Sequence, residues 1–179
     1  VNPETNLMGL NEADLLILGT NHLNARQRLS IKAYISSGKA LIVLRPALQE
    51  NLLETKVTGC SNKGEISQSP TSQVSHSTKY QRTFISDFKS FSSESPLLAL
   101  APLSSSTKVL LWGKAKTLQP VAWTNSHKGK IFCTALRTNL QDNNFQLLLY
   151  RAAYWATDLK APRVMPHFKY FSGYLESHF

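Results

Sequence analysis

Blocks of apolar residues near the N-terminus of the chain predict a strand, a helix and a second strand. Residues 13–19, apart from Asp14, and residues 40–44 are apolar runs, which are typical of strands buried on both faces of a parallel sheet. Between them, apolar residues recur at helical spacing over residues 25–37, with Asn24 placed as the N-cap and Gly38 where the helix would end. This order predicts a right-handed βαβ unit.

The clearest pattern lies between residues 119 and 158 and predicts a hairpin followed by one amphipathic helix. Residues 120–124 and 131–136 are apolar, and Gly129 lies in the polar turn between them, where we expect it to supply a positive φ. Asp142 is placed to cap the helix. The predicted apolar face consists of residues that recur at spacings of three and four, namely Phe145, Leu148, Leu149, Ala152, Trp155 and Ala156.

The middle of the chain has a different composition, rich in Ser, Thr, Gln, Asn and Lys. We interpret residues 49–96 as a variable polar excursion, with short strands near residues 79–85 and a mobile Ser-rich tip at residues 67–77. Residues 1–158 are then predicted to form a single α/β domain, because 179 residues suffice for one core but not comfortably for two. Residues 159–179 contain two prolines and five aromatic residues and are predicted to form a C-terminal arm.

The net charge is strongly positive, but the basic residues are dispersed. Twenty Lys and Arg residues against eleven Asp and Glu residues give a formal charge of +9. A nucleic-acid surface needs several aligned cations, and the single or paired basic residues of this chain argue against such a partner. The apolar runs are far shorter than the roughly 20 residues that span a bilayer, so no membrane span is predicted. The first residues show no signal-peptide pattern, and the sequence leaves the compartment open.

Two blocks of sequence resemble the ThuA-like, or trehalose-utilisation, domain family. The first joins the run ADLLILG to the segment from Gln27 to Leu44, which ends in YISSGKALIVL. The second joins PVAW at residues 120–123, KGKIF at residues 128–132, Leu136 and the WA pair at 155–156. The second block is the more specific, because several separate elements occur in the family's order.

The resemblance implies a fold of the class I glutamine amidotransferase-like superfamily. That fold is a three-layer, flavodoxin-like α/β architecture, with a mostly parallel sheet and helices on both faces. The family usually has an earlier strand and helix, so we expect the chain to be divergent and either truncated at its N-terminus or shortened in evolution. For function, the resemblance implies a carbohydrate-associated role.

Both histidine positions of the family carry other residues in this sequence. ThuA-like sequences generally place one His after the strand that corresponds to residues 41–44 and another in a Gly-His pair after the strand that corresponds to residues 131–136. Arg45 and Arg137-Thr138 occupy these positions. Arginine stays protonated, and it neither ligates metals nor shuttles protons at neutral pH, so we expect a degenerate active site.

The two arginines nevertheless follow neighbouring strands of a predicted parallel sheet, whose carboxyl ends form the usual ligand crevice of open α/β folds. We therefore expect a site for a small polar or anionic ligand, such as a sugar derivative. The predicted ligand-binding residues are Asn21, His22, Arg45, Arg137, Thr138 and Asn139. The alternative is that both arginines pair with surface carboxylates.

No catalytic residue, metal or cofactor is predicted. Cys133 lies in a strand and Cys60 in a polar loop, so neither occupies the tight strand-to-helix turn that exposes a nucleophilic thiolate, and a bridge between them stays open. The five histidines lack the spacing of metal ligands. A non-catalytic binding module is the expected function. The alternatives are an enzyme of modified-sugar metabolism, acting on trehalose-type disaccharides, and an interaction scaffold for a partner protein or a second copy of the chain.

Overall fold

The computed structural model describes residues 10–66, 72–76, 91–93, 96–102, 105–114, 117–137 and 140–159, which form strands and helices of an α/β protein. In chain order the elements are β1 (Leu15–Leu18), α1 (Ala25–Ser36), β2 (Ala40–Val43), α2 (Arg45–Gln49), α3 (Thr55–Thr58), β3 (Cys60–Ile66), β4 (Ser72–His76), β5 (Phe91–Ser93), β6 (Leu97–Pro102), β7 (Lys108–Lys114), β8 (Leu118–Ser126), β9 (Lys130–Thr134) and α4 (Asn143–Ala156).

Seven of these strands form one mixed sheet in the order β1-β2-β9-β8-β7-β4-β5. The pairs β1–β2 and β2–β9 are parallel, whereas every pair from β9–β8 onward is antiparallel. The parallel pairing of β1 with β2 confirms the strand-helix-strand prediction. Because β1, β2 and β9 run in the same direction, their carboxyl ends share one edge of the sheet.

The expectation that the first strand is buried on both faces is wrong. β1 lies at one edge of the described sheet, and Ile17 in its middle is 50% exposed. β2, which lies between β1 and β9, is fully buried over all four of its residues. The two apolar runs have similar compositions but differ in burial, because only β2 has a strand on each side.

The capping signals around α1 are confirmed by its backbone. The Asn24 side chain accepts a hydrogen bond from the Gln27 amide, and the Gln27 side chain accepts one from the Asn24 amide, which completes a capping box. After the helix, Gly38 has a φ of +82°, the left-handed conformation that glycine adopts at little cost. Asp142 likewise caps α4 by accepting from the amides of Asn144 and Phe145.

The two faces of the sheet are covered by different helices. Ile31 and Ile35 of α1 belong to a core that includes Leu41 and Val43 of β2. The intervening Ile42 points the other way, into a core formed with the predicted apolar face of α4. Of that face, Phe145, Leu148, Ala152 and Ala156 are buried, and Leu149 and Trp155 pack against it partly exposed.

The predicted hairpin is present as β8 and β9, but Gly129 has a different role from the expected one. Its φ lies outside the left-handed region. A Cβ at Gly129 would instead lie 2.4 Å from the carbonyl oxygen of Gly38 and 2.5 Å from that of Lys39. Glycine is required because the hairpin turn crosses directly over the turn between α1 and β2.

The polar excursion is more regular than expected. Its first part forms α3 and then β3, which pairs antiparallel with β6 in a separate two-stranded sheet. A mobile tip at residues 67–77 is wrong for residues 72–76, because these form β4 and pair with β7 through the main chain. The strands predicted near residues 79–85 lie outside the described residues, as does the predicted arm from residue 160 onward.

None of the helices in the described part of the chain has the length and apolar character needed to cross a lipid bilayer.

Candidate functional site

A cavity lies where the parallel strands end. Asn21 follows β1, Arg45 follows β2 and Arg137 follows β9, and all three residues line one open cavity of about 340 Å³. The other lining residues are Pro46, Gln49 and Glu50 of α2 and its end. Three of the six predicted ligand-binding residues are thus brought together by three separate segments. We refer to this space as the strand-end cavity.

Arg45 is largely buried and held in place by two partners. Arg45 is the first residue of α2. Leu44 before it has the extended backbone of an N-cap, and Pro46 after it lies in the first turn. One guanidinium nitrogen, Nη1, donates to the carbonyl oxygen of Ala135 at 3.1 Å, and Nη2 pairs with the Glu65 carboxylate at 2.9 Å. Arg45 therefore pairs with a carboxylate and also lines the cavity.

Arg137 has a different environment. Ala135 and Leu136 before it are buried, whereas Arg137 itself is exposed at the rim of the cavity. Within the described residues it makes no ion pair. Its charge is therefore available to a ligand. The next two predicted residues, Thr138 and Asn139, lie outside the described residues.

The loop after β1 brings Asn21 to the cavity and leaves His22 outside its lining. The Thr20 hydroxyl donates to the His22 carbonyl oxygen at 2.9 Å and accepts from the His22 amide at 3.2 Å, which closes a tight local turn. His22 is exposed and is not among the residues around the cavity. The structure thus gives Asn21, and not its histidine neighbour, a position at the strand ends.

Gln49 and Glu50 are cavity residues that the sequence analysis missed. They lie one turn beyond Arg45, because the chain enters a short helix directly after β2. The interpretation of Arg45-Pro46 as a strand terminus hid this helix. The available signal was the proline itself, since proline is favoured in the first turn of a helix. With Asn21, these residues supply amide and carboxylate groups beside the exposed guanidinium of Arg137.

The fold of this chain is similar to the folds of several solved structures. No protein-family model and no curated protein matches the sequence. Among solved structures, a ThuA-like protein from Bacteroides uniformis superposes with a TM-score of 0.63 at 18% identity, over 82% of this chain and 70% of its own. A ThuA-like protein from Parabacteroides merdae gives 0.63 at 13% identity, over 92% of this chain and 78% of its own. The chain has a ThuA-like fold.

The fold of this chain is also similar to part of a longer chain. A GH42 beta-galactosidase from G. stearothermophilus, solved as a catalytic mutant, superposes with a TM-score of 0.59 at 13% identity. The match covers 84% of this chain but only 22% of the beta-galactosidase. The similarity therefore concerns one portion of that enzyme.

Neither cysteine has the properties of a nucleophile. Cys60 was expected in a polar loop, but it begins β3 and is only 4% exposed, because β3 packs on the core beside α3. Burial raises the pKa of the Cys60 thiol to about 12. Burial, and then the nearby Cys60, raises the pKa of the Cys133 thiol well above its usual value. Both thiols are free and stay protonated at neutral pH, whereas a nucleophilic cysteine must be ionised and accessible.

The described residues contain no group of three His, Cys, Asp or Glu side chains that could hold a metal ion. The residues that line the strand-end cavity offer hydrogen-bonding groups and the charge of Arg137.

Proposed function

We propose that this chain is a ThuA-like domain with a carbohydrate-associated role, which binds a small polyhydroxylated anion in the strand-end cavity. The proposal includes the three-layer, flavodoxin-like arrangement that the resemblance implies. It assigns no chemical step to the chain. The two cysteines are buried, and arginines stand where the family generally has histidines.

One observation carries the proposal. Asn21, Arg45 and Arg137 are far apart in sequence, yet they line a single open cavity at the carboxyl ends of the parallel strands. Ligands of open α/β sheets bind at these ends. A volume of about 340 Å³ is sufficient for a small molecule of monosaccharide size.

The chemistry of the lining indicates which ligands fit. Glu65 already pairs with Arg45, so Arg137 is the cation that remains for an anionic group. Asn21 and Gln49 provide both donors and acceptors, and Glu50 provides acceptors, which suits a ring of hydroxyl groups. A sugar acid or a sugar monophosphate combines one anionic group with several hydroxyls. The ThuA-like neighbours and the beta-galactosidase support the carbohydrate class.

The test is a titration of the purified protein with gluconate and with glucose 6-phosphate, followed by calorimetry and by backbone amide NMR. We expect binding of at least one of them, with shifts at residues 20–21, 45–50 and 136–137. Arg137→Gln should weaken that binding about tenfold, because a charge-assisted hydrogen bond is lost. Arg26→Gln is the matched control, since Arg26 is exposed and does not line the cavity, and it should bind like the wild type.

Two outcomes would contradict the proposal. In the first, neither gluconate nor glucose 6-phosphate binds to the wild type. In the second, Arg137→Gln and Arg26→Gln bind the ligand with equal affinity. Following the same samples by NMR over time also tests the enzymatic alternative, because conversion of the ligand into a new compound would show turnover.

A further inference from the structure

A second cavity lies on the α1 face of the molecule. It is bounded by one side of α1, by residues 52–57, which include the first part of α3, and by the β8–β9 turn. Its volume is about 330 Å³. It shares no lining residue with the strand-end cavity. We call it the α1 cavity. Its volume falls within the range of small-molecule sites, which begins at about 300 Å³.

The floor of the α1 cavity is apolar. It is continuous with the core of the α1 face, because most of its apolar residues are buried members of that core and Leu53 packs partly exposed against it. The apolar lining residues are Leu23, Ile31, Ile35, Leu52, Leu53 and Val57. A purely polar molecule such as a sugar phosphate would find no partners for its hydroxyl groups on this surface. The floor therefore selects for a ligand with an apolar body.

The rim of the α1 cavity is cationic. Arg28 and Lys32 of α1, Lys56 of α3 and Lys128 of the hairpin turn contribute four positive charges, against one carboxylate, that of Glu54. The rim therefore carries a net charge of +3. The four cations come from three separate segments, which the fold brings together.

Glu54 cancels only one of the four positive charges on the rim. It pairs with Lys56 at 2.6 Å and with Lys32 at 3.7 Å. The hydrogen bond and charge of Lys56 hold the pKa of the Glu54 carboxyl below its usual value, so it stays ionised and occupied by these partners at neutral pH. An incoming anion therefore meets a net positive rim, and the apolar floor receives the rest of the molecule.

We propose that the α1 cavity binds a small organic carboxylate with an apolar body, with its carboxylate at the rim among Lys32, Lys56 and Lys128. Both a linear acyl chain and a fused aromatic ring system have this chemistry. The probes are therefore octanoate and naphthoate, and octanamide is the uncharged counterpart of octanoate.

The binding test is a backbone amide NMR titration of the wild-type protein with each probe. We expect at least one carboxylate to shift the amides of α1 and of residues 52–57. Where octanoate is the ligand, it should bind about fivefold more tightly than octanamide. Stronger binding of octanoate would assign a linear ligand and stronger binding of naphthoate an aromatic one. The proposal is overturned if neither carboxylate binds at millimolar concentration, or if octanamide binds as well as octanoate where octanoate is the ligand.

Two pairs of variants locate the site. Ser36 is exposed and lines the α1 cavity, whereas Ala33 is exposed on the same helix and does not. Ser36→Phe should occlude the cavity and reduce affinity at least tenfold, and Ala33→Phe should leave it unchanged. Binding that survives Ser36→Phe would overturn the assignment, provided that the amide spectrum shows a folded protein.

The second pair of variants distinguishes the effect of the rim charges from the effect of the overall positive charge of the protein. Lys32→Gln combined with Lys128→Gln should weaken carboxylate binding about fivefold and leave octanamide binding unchanged. Lys63→Gln combined with Lys114→Gln removes the same charge from two exposed residues outside the cavity. Equal weakening by both double variants would show that only the overall charge matters and would overturn the role of the rim.

Discussion

The polar side chains under α3 are buried and hydrogen-bonded within the protein, whereas most polar side chains at the strand-end cavity are exposed to solvent. Under α3, the Trp123 Nε1 donates to the carbonyl oxygen of Thr58 at 2.7 Å, and Asn125 Nδ2 donates to those of Val57 at 2.8 Å and Lys56 at 3.2 Å. A helix of four residues cannot satisfy its last carbonyls internally, so side chains from β8 do so. We call this set of bonds the α3 anchor.

At the strand ends the polar groups are exposed and Arg137 has no ionic partner among the described residues. The difference shows which polar residues build the fold and which can serve a ligand. Trp123 and Asn125 are at most 1% exposed, so each unmade bond would cost the full desolvation of a buried group. Asn21 and Arg137 are hydrated in the free protein, and a ligand can replace their water. Arg45 belongs to both classes, because it is buried and paired and yet lines the cavity.

The largest expected effect comes from breaking the α3 anchor. Asn125→Leu keeps the branched shape of the side chain but removes both bonds donated to the end of α3 and the acceptor of a 2.7 Å bond from Ser106. We expect the free energy of unfolding to fall by about 2–4 kcal/mol, because buried carbonyls lose their partners. Urea denaturation followed by circular dichroism measures this change.

Asn144→Leu is the control for that substitution. Asn144 is exposed in the first turn of α4, where Asp142 bonds its backbone amide and no described bond uses its side chain. Its replacement should change the free energy of unfolding by less than about 0.5 kcal/mol. Similar losses in both variants would contradict the special status of the α3 anchor.

The sequence predicted the local parts of this contrast and missed the non-local parts. The cap at Asn24, the buried strand β2 and the hairpin with its following helix depend on neighbouring residues, and these were correctly placed. The α3 anchor joins residues that are 65 to 69 positions apart, so no pattern within a single segment of the sequence predicts it. The same holds for Gly129, whose requirement comes from Gly38 and not from its own turn. Arg45 and Arg137 were located correctly because parallel strands end together, whereas Glu65, the partner of Arg45, comes from another sheet.

The buried thiols beside the α3 anchor give a second, pH-dependent contrast. The Cys133 thiol lies 3.7 Å from the Thr58 carbonyl oxygen, and Cys60 follows Gly59, the C-cap of α3. Because burial raises the pKa of Cys60 to about 12, the folded state keeps this proton while an unfolded thiol loses it near pH 8.5. Stability should therefore be lost as the pH rises from about 8.5 towards 12.

The wild type should lose about 1–2 kcal/mol more than Cys60→Ala in free energy of unfolding between pH 7 and pH 10. Each protein is compared with itself at the two pH values, so the cost of the substitution at pH 7 cancels. Identical pH dependence in both proteins would contradict the raised pKa of Cys60. An exposed thiol would give no such difference, and thiol labelling at pH 8 should accordingly be slow in the folded protein.

The smallest effect, and the sharpest test of the contrast, concerns the two arginines of the strand-end cavity. Arg45→Met removes the bond to the buried Ala135 carbonyl and the ion pair with Glu65, whose side chain is 43% exposed and stays hydrated, so a loss of about 1 kcal/mol is expected. Arg137→Met removes a hydrated charge and should change stability by less than about 0.5 kcal/mol. The order should reverse for ligand binding. Arg137→Met should weaken the binding of a sugar anion about tenfold, like Arg137→Gln, while Arg45→Met, measured where it is fully folded, should weaken it less. Parallel urea unfolding and ligand titration of the two variants give both orders. If Arg137→Met destabilises the protein as much as Arg45→Met, Arg137 is a structural residue like those of the α3 anchor, and the cavity loses the cation on which the proposed ligand depends.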